Sequence, residues 1–262
     1  VSGVTFAAKC YEQGASVTVF EQQELLHTLK SIPQFRLPKS VVENAANCFV
    51  GTDVQVKIQT VTEADVIELS KRFDVVYLAF GSTVSRELGV NGQELATDAD
   101  TFLRGDVFGN VIVVGGGNTA MDCARLNAFR GGKSTILYRR SIADMPAFKT
   151  EIEQTEAMGV DFVCATAPVE VKKVDGQIVV TCADTIFDGR KSLRLGDERR
   201  EYVCDVLVAA VGNSPSVYIG ENKRLPIDEQ GLVFGNVYGG GDAAGGSLVS
   251  TAVGHAKRAF GA

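Results

Sequence analysis

Val111-Ile112-Val113-Val114 runs directly into Gly115-Gly116-Gly117-Asn118-Thr119-Ala120, and a buried strand that turns on glycine into a helix leaves a chain few ways to fold. The β-branched run suits a parallel strand covered on both faces. A helix is predicted over 118–130 and stops at Gly131-Gly132. Thr135-Ile136-Leu137-Tyr138 then forms the next strand and ends before Arg139-Arg140. These segments make a complete βαβ unit, whose two strands lie parallel in one sheet.

The same unit occurs earlier without its first strand. Gly3 leads a helix with Val4, Ala7, Ala8 and Tyr11 on one face, Gly14 ends it, and Val17-Thr18-Val19-Phe20 is a strand closing on Glu21. From Gly3 to Glu21 is 21 − 3 = 18 positions, and from Ala120 to Arg139 is 139 − 120 = 19. Matched spacing at both ends marks an internal repeat. The chain opens on Val1 in mid-pattern without Met, so a piece of a longer protein is expected.

A length of 262 residues predicts two domains. Further strands are predicted at 54–58, 75–80, 161–165, 170–174, 178–182 and 206–211, with Asp175-Gly176 a hairpin turn. The polar stretch 86–105 reads as a connection between domains. The predicted class is α/β, with two Rossmann-like dinucleotide-binding domains carrying small antiparallel β-meanders, the second inserted in the first. The boundaries are 1–98 and 216–262 for the outer domain and 99–215 for the inserted one.

With 26 Lys+Arg against 32 Asp+Glu the net charge is −6, which disfavours a nonspecific grip on nucleic acid or anionic lipid. No apolar run reaches bilayer length and no signal peptide is evident, so a cytoplasmic protein without a membrane partner is expected. Cys10, Cys48, Cys123, Cys164, Cys182 and Cys204 include no CxxC pair. That spacing argues against a dithiol redox pair or a metal cluster held by this chain alone. His27 and His255 lack a partner spacing for metal or nucleophilic catalysis and read as structural or exposed. No catalytic residue and no metal ligand is predicted.

The chemistry therefore rests on the glycine turns. In the GxGxxA segment Gly115 permits the tight turn, Gly116 continues it, Gly117 lets the backbone approach a pyrophosphate, and Ala120 allows helix to pack on strand. The phosphates rest on free amides at the positive end of the helix. Arg139 and Arg140 stand where an acid would accept from a ribose diol, and two guanidinium forks suit a 2′-phosphate. That choice favours NADP over NAD. Glu21 occupies the matching place in the first unit and favours a nucleotide with a free diol, such as FAD. Near the C-terminus, the segment 239–246, rich in glycine around Gly241 and Asp242, precedes a helix at 248–260 and suits a ribityl hydroxyl. The strands ending at Gly81 and at Ala210-Val211-Gly212 run into glycine beneath the expected nucleotides.

Ile32-Pro33-Gln34-Phe35-Arg36-Leu37-Pro38, the stretch 115–122, Tyr138-Arg139-Arg140, Met145-Pro146 with Glu151-Ile152-Glu153, and Gly241-Asp242 together resemble the flavin module of dihydropyrimidine dehydrogenase and the glutamate synthase small subunit. The resemblance spans nearly the whole chain. It implies a pyridine nucleotide-disulfide reductase-like fold in which NADPH reduces FAD and electrons leave through iron-sulfur clusters in another domain or subunit. It places Gly3 as the third glycine of the flavin fingerprint, Glu21 on the FAD ribose, Leu29 and Arg36 near FAD, and Asp242 on the ribityl chain. It gives Asn118, Thr119, Ala120, Arg139, Arg140 and the turn from Ala210 to Gly212 to NADPH, and Asp122 is a further cofactor-binding candidate. His27-Thr28 stands where that family usually has paired glycines. An NADPH-dependent flavoprotein that passes hydride from nicotinamide to flavin is the leading expectation. A flavin-free NADPH-binding scaffold is the alternative, and a thioredoxin-reductase-like enzyme is disfavoured by the missing CxxC.

Overall fold

The computed structural model describes residues 1–187, 193–220 and 224–262. The chain forms two compact units. One comprises Val1–Lys30, Leu37–Val84 and Asn213–Ala262, and the other comprises Ser31–Arg36 and Ser85–Gly212. The second is thus inserted in the first, in agreement with the expected topology. The changeovers fall at 84/85 and 212/213, where 98/99 and 215/216 are the expected ones.

The inserted unit is built on a five-stranded parallel sheet in the order Thr97–Asp98, Val206–Ala209, Asn110–Val114, Lys133–Leu137, Asp161–Val163. Alternate side chains of the central strand serve two different layers. Val111 and Val113 pack with Ala120, Met121 and Ala124 of the helix Asn118–Phe129. Ile112 and Val114 pack with Val171, Val180, Cys182 and Cys204 of an antiparallel sheet on the other face. Two covered faces explain the unbroken apolar run, and each such valine contributes about 1.5–3 kcal/mol by burial.

The antiparallel layer joins Leu193–Cys204, Gln177–Phe187 and Thr166–Val174. Asp175 and Gly176 both take left-handed φ, +50° and +87°, as a tight hairpin between right-twisted strands requires. Pairing runs beyond the expected 178–182 through a bulge between Ala183 and Thr185. The strand Leu193–Cys204 escapes sequence reading because Arg194, Asp197, Glu198, Arg199 and Arg200 fill it.

The stretch 86–105 is not a linker. Asp98 caps the helix Ala99–Arg104 by accepting from the Thr101 N–H at 2.9 Å, and Ala99 and Phe102 are buried. Gly92 lies so close to the antiparallel layer that a Cβ there would sit 1.9 Å from the Val171 carbonyl oxygen. With two apolar anchors and one backbone approach, the segment packs without the periodicity that would announce it.

In the outer unit the helix Ser2–Glu12 packs along the helix Val249–Phe260, Phe6 against Ala256 and Ala259, with the Phe6 and Tyr77 rings stacked at 4.4 Å. Thr18–Glu21 pairs in parallel with Gln55–Ile58, and Val76–Leu78 pairs in parallel with Val237–Gly239. The two pairs belong to separate sheets, and no strand among the described residues bridges them. Among the described residues no helix is long and apolar enough to cross a membrane.

One fully buried side chain ties the inserted unit's βαβ element together. Asn127 Nδ2 donates to the carbonyls of Gly109 and Lys133 and to Ser134 Oγ at 2.8–3.1 Å, and its Oδ1 accepts from the Gly109 N–H at 3.1 Å. Asn127→Ala leaves several buried groups unsatisfied, and chemical denaturation is expected to show a loss of about 3 kcal/mol. A loss below about 1 kcal/mol would contradict that account.

Candidate dinucleotide-binding residues

Register decides where the glycine turns meet. Val114 pairs with both Ala209 and Leu137, so Gly115, Ala210 and Tyr138 follow side by side at the carboxyl edge of the parallel sheet. Ala210 donates its N–H to the Val114 carbonyl at 2.9 Å, and Gly115 donates to the Leu137 carbonyl at 3.0 Å. Each glycine of the turn has a distinct reason. Gly115 has φ +149°, and a Cβ there would lie 2.2 Å from the Ala210 carbonyl oxygen. A Cβ on Gly116 would lie 2.5 Å from the Tyr138 ring, so Gly116 serves packing rather than an open surface. At Gly117 a Cβ would meet no atom within 4 Å. Gly117 is the N-cap of the helix Asn118–Phe129, and no side chain caps it.

An uncapped helix N-terminus with open space before it offers backbone N–H donors and a positive dipole end to an anion. Ala120 is fully buried, as close helix–strand packing requires, and Thr119 is exposed. Asn118 holds the following loop instead of facing outward with its oxygen: its Oδ1 accepts from the Phe148 N–H at 2.9 Å. The Gly212 turn sits beside these strand ends, with φ +99° and its carbonyl accepting from the Arg86 N–H at 3.0 Å.

Arg139 is exposed and Arg140 half-buried directly after the strand Lys133–Leu137. Their backbone is fixed by neighbours that no sequence signal marks. Thr185 Oγ1 donates to the Arg139 carbonyl at 2.8 Å, and the Ala165 N–H donates to the Arg140 carbonyl at 2.9 Å. Burial raises the Tyr138 phenol above its ordinary pKa, opposed by the charges of Arg140 and Arg139. The open helix amides and the backbone of both arginines therefore belong to one edge of one sheet.

Arg36, which the resemblance implies lies near FAD, is engaged with protein carboxylates. It belongs to the inserted unit, where its guanidinium donates to both Glu151 oxygens, at 3.0 and 2.5 Å, and to Asp122. Arg125 also donates to Glu151 and lies 4.5 Å above the Phe35 ring. Burial pushes the Asp122 carboxyl above its ordinary pKa, against the hydrogen bond and charge of Arg36. Asp122 is thus a partner of Arg36 in this structure, and a second negative charge beside a cofactor phosphate would oppose binding.

The remaining expected residues lie in the outer unit. Gly3 is inside the helix Ser2–Glu12, where a Cβ would lie 2.9 Å from the Ala79 Cβ. Glu21 ends its strand, and its Oε1 accepts from the Gln23 N–H at 3.2 Å. Gly81 has φ +66° with open space where a Cβ would be, and Gly241 has φ +73°. Asp242 keeps an exposed face, while the protein packed around its carboxyl raises its pKa. Leu29 lies in the short helix His27–Ser31 and donates its N–H to the Leu26 carbonyl at 2.8 Å.

Residues 1–256 match the pyridine nucleotide-disulphide oxidoreductase family. The chain belongs to that family. The NADP(+)-dependent formate dehydrogenase subunit beta of Moorella thermoacetica is 28% identical over 303 residues, covering 98% of this chain and 41% of that protein. The glutamate synthase [NADPH] small chain of Escherichia coli K12 is 26% identical over 310 residues, covering 98% and 65%. The chain therefore spans less than two thirds of the length of these relatives. FprA of Mycobacterium tuberculosis in complex with NADPH superimposes with a TM-score of 0.75 at 18% identity, covering 99% of this chain and 81% of that one. Thioredoxin reductase of Lactococcus lactis gives 0.76 at 17% identity, covering 99% and 93%. These likenesses show the two-domain dinucleotide-binding fold, and the family is one of pyridine nucleotide-dependent oxidoreductases.

The Arg36 cluster yields a stability test. Arg36→Met leaves the part-buried Asp122 and Glu151 carboxylates with Arg125 alone and is expected to cost about 2 kcal/mol near neutral pH. The deficit should shrink as acid protonates Asp122, whose carboxyl burial already pushes up. An Arg36→Met protein as stable as the parent across pH 5–8 would refute this role.

Proposed function

We propose that the inserted unit holds NADPH, that the outer unit holds FAD, and that the chain is the flavin-reducing module of an NADPH oxidoreductase whose electrons pass to an iron-sulfur domain or subunit. The open, uncapped Gly117 helix end beside the strand that delivers Arg139 and Arg140 carries this reading. That donor set fits NADPH. Amides of the Gly117 turn and the first helical residues would hold the pyrophosphate, and the two arginines would hold the 2′-phosphate by charge-assisted hydrogen bonds. The names of the formate dehydrogenase and glutamate synthase relatives carry the same nucleotide preference.

The outer unit's donor set fits FAD at three points: Glu21 for a ribose diol, the open left-handed Gly81 for close backbone approach, and Asp242 for a ribityl hydroxyl. When bound, the two cofactors supply the redox chemistry, a hydride donor on one side and a two-electron acceptor on the other. This chain's residues bind and orient them. All six cysteines are unpaired, and burial raises every one of the thiols above its ordinary pKa. No dithiol is arranged to receive the electrons, which supports an external acceptor.

Commitment of Arg36 to Asp122 and Glu151 favours a second reading, a flavin-free NADPH-binding scaffold without turnover. Absorption spectroscopy separates the two. A yellow protein bleached by NADPH far faster than by NADH supports the flavoprotein, and a colourless protein that binds NADPH but takes up no added FAD supports the scaffold.

Arg139→Ser/Arg140→Ser is expected to weaken NADPH binding by about tenfold per arginine while leaving NADH binding within about threefold. Equal losses for both nucleotides in titration calorimetry would show that the arginines do not read the 2′-phosphate. Gly117→Ala meets no protein atom, so it should leave folding intact and weaken both nucleotides.

A further inference from the structure

The turn that presents Asp242 is clamped by one titratable side chain. The Gly241 N–H donates to His255 Nδ1 at 3.0 Å. The other clamps do not titrate near neutrality. The Gly240 N–H donates to the Leu78 carbonyl at 3.1 Å, the Gly246 N–H to the Gly241 carbonyl at 3.0 Å, and both Ser82 Oγ and the Gly245 N–H donate to the Asp242 carbonyl. The helix Val249–Phe260 comes so close that a Cβ on Gly240 would lie 2.5 Å from the His255 Cβ, and the strand Val76–Leu78 brings the Tyr77 hydroxyl to 2.4 Å from the same point. Gly241 holds φ +73°, a left-handed conformation that glycine adopts without the Cβ clash of other residues.

We infer that His255 is a positioning residue for the flavin half of this protein: its Nδ1 fixes the Gly241 amide and so sets the direction in which the Asp242 carboxylate meets a ribityl or ribose hydroxyl. This inference rests on the FAD reading above. Its chemistry requires the neutral ring with the proton on Nε2, because Nδ1 accepts only while unprotonated.

The surroundings favour that form. Burial lowers the His255 pKa, the Arg258 charge lowers it further, and the Asp242 carboxylate works the other way. Tyr77, whose hydroxyl lies beside Gly240, has its phenol pushed up to about 12 by burial and stays neutral. A folded-state pKa below the ordinary histidine value means that the bond is fully present above that value. It is lost as pH falls through the lowered one. Protonation then sets a donor against the Gly241 donor and releases the turn.

The test is FAD titration of the protein by fluorescence between pH 7.5 and pH 5, on the parent, His255→Asn and His255→Leu. Asn retains an acceptor oxygen that does not titrate, so at pH 7.5 it should bind FAD within about threefold of the parent, while Leu should bind about five- to tenfold more weakly. The parent should lose affinity by a similar factor on acidification, and His255→Asn should lose clearly less. Nitrogen-15 NMR of the histidine ring in the flavin-free protein should report the Nε2–H tautomer at pH 7.5. Identical pH profiles for parent and His255→Asn, or an Nδ1–H tautomer, would overturn the inference while leaving FAD binding standing. Failure of the parent to bind FAD at any pH would overturn both this inference and the FAD assignment.

Discussion

Everything at the carboxyl edge of the inserted unit depends on how closely two backbones approach, at Gly115 and the Ala210 carbonyl. Any side chain at position 115 would push apart the parallel strands Asn110–Val114 and Val206–Ala209 at the point where both end. Because the approach is tolerated, the first strand can turn at once into a helix whose amino end is open. The neighbouring strand then brings Tyr138, Arg139 and Arg140 alongside. Open helix amides and the backbone of both arginines are thereby brought to one edge of the sheet.

The two units use opposite charge at corresponding strand ends, Arg139 in one and Glu21 in the other. Charge is also used for folding, and the two uses compete for the same residue types. Arg36, Asp122, Glu151 and Arg125 neutralise one another in a part-buried cluster that anchors Ser31–Arg36 to the inserted unit. A guanidinium bound to two carboxylates has its charge and donors engaged, so this arginine is first a structural group. Bidentate geometry toward Glu151 explains why lysine would be a poor replacement there.

Much of the fold was legible because its signals are local. The run 111–114, the glycine turn, the breaker at Gly131-Gly132 and the Asp175-Gly176 hairpin each act through backbone conformation within a few residues. The helices Asn118–Phe129 and Val249–Phe260 fall within one residue of their expected bounds. The strand Leu193–Cys204 and the helix Ala99–Arg104 were not legible. One is stabilised by ladder pairing across a charged sequence, the other by a single cap and two apolar anchors. A lone histidine carries no spacing signal, and the acceptor role of His255 exists only where the last helix meets the Gly240–Gly241 turn.

From its order of residues alone, this chain specifies a repeated βαβ pattern, a glycine turn able to receive an anion, and the sign of the charge at each strand end. Such properties follow from backbone conformation and short-range periodicity, which any chain with these residues carries. Folding in three dimensions assigned the partners: Tyr138 beneath Gly116, Asn118 on Phe148, Arg36 on Asp122 and Glu151, and His255 on Gly241. Those pairings join residues 14 to 115 positions apart, and separation of that order is closed only when strand register and helix packing bring the groups together.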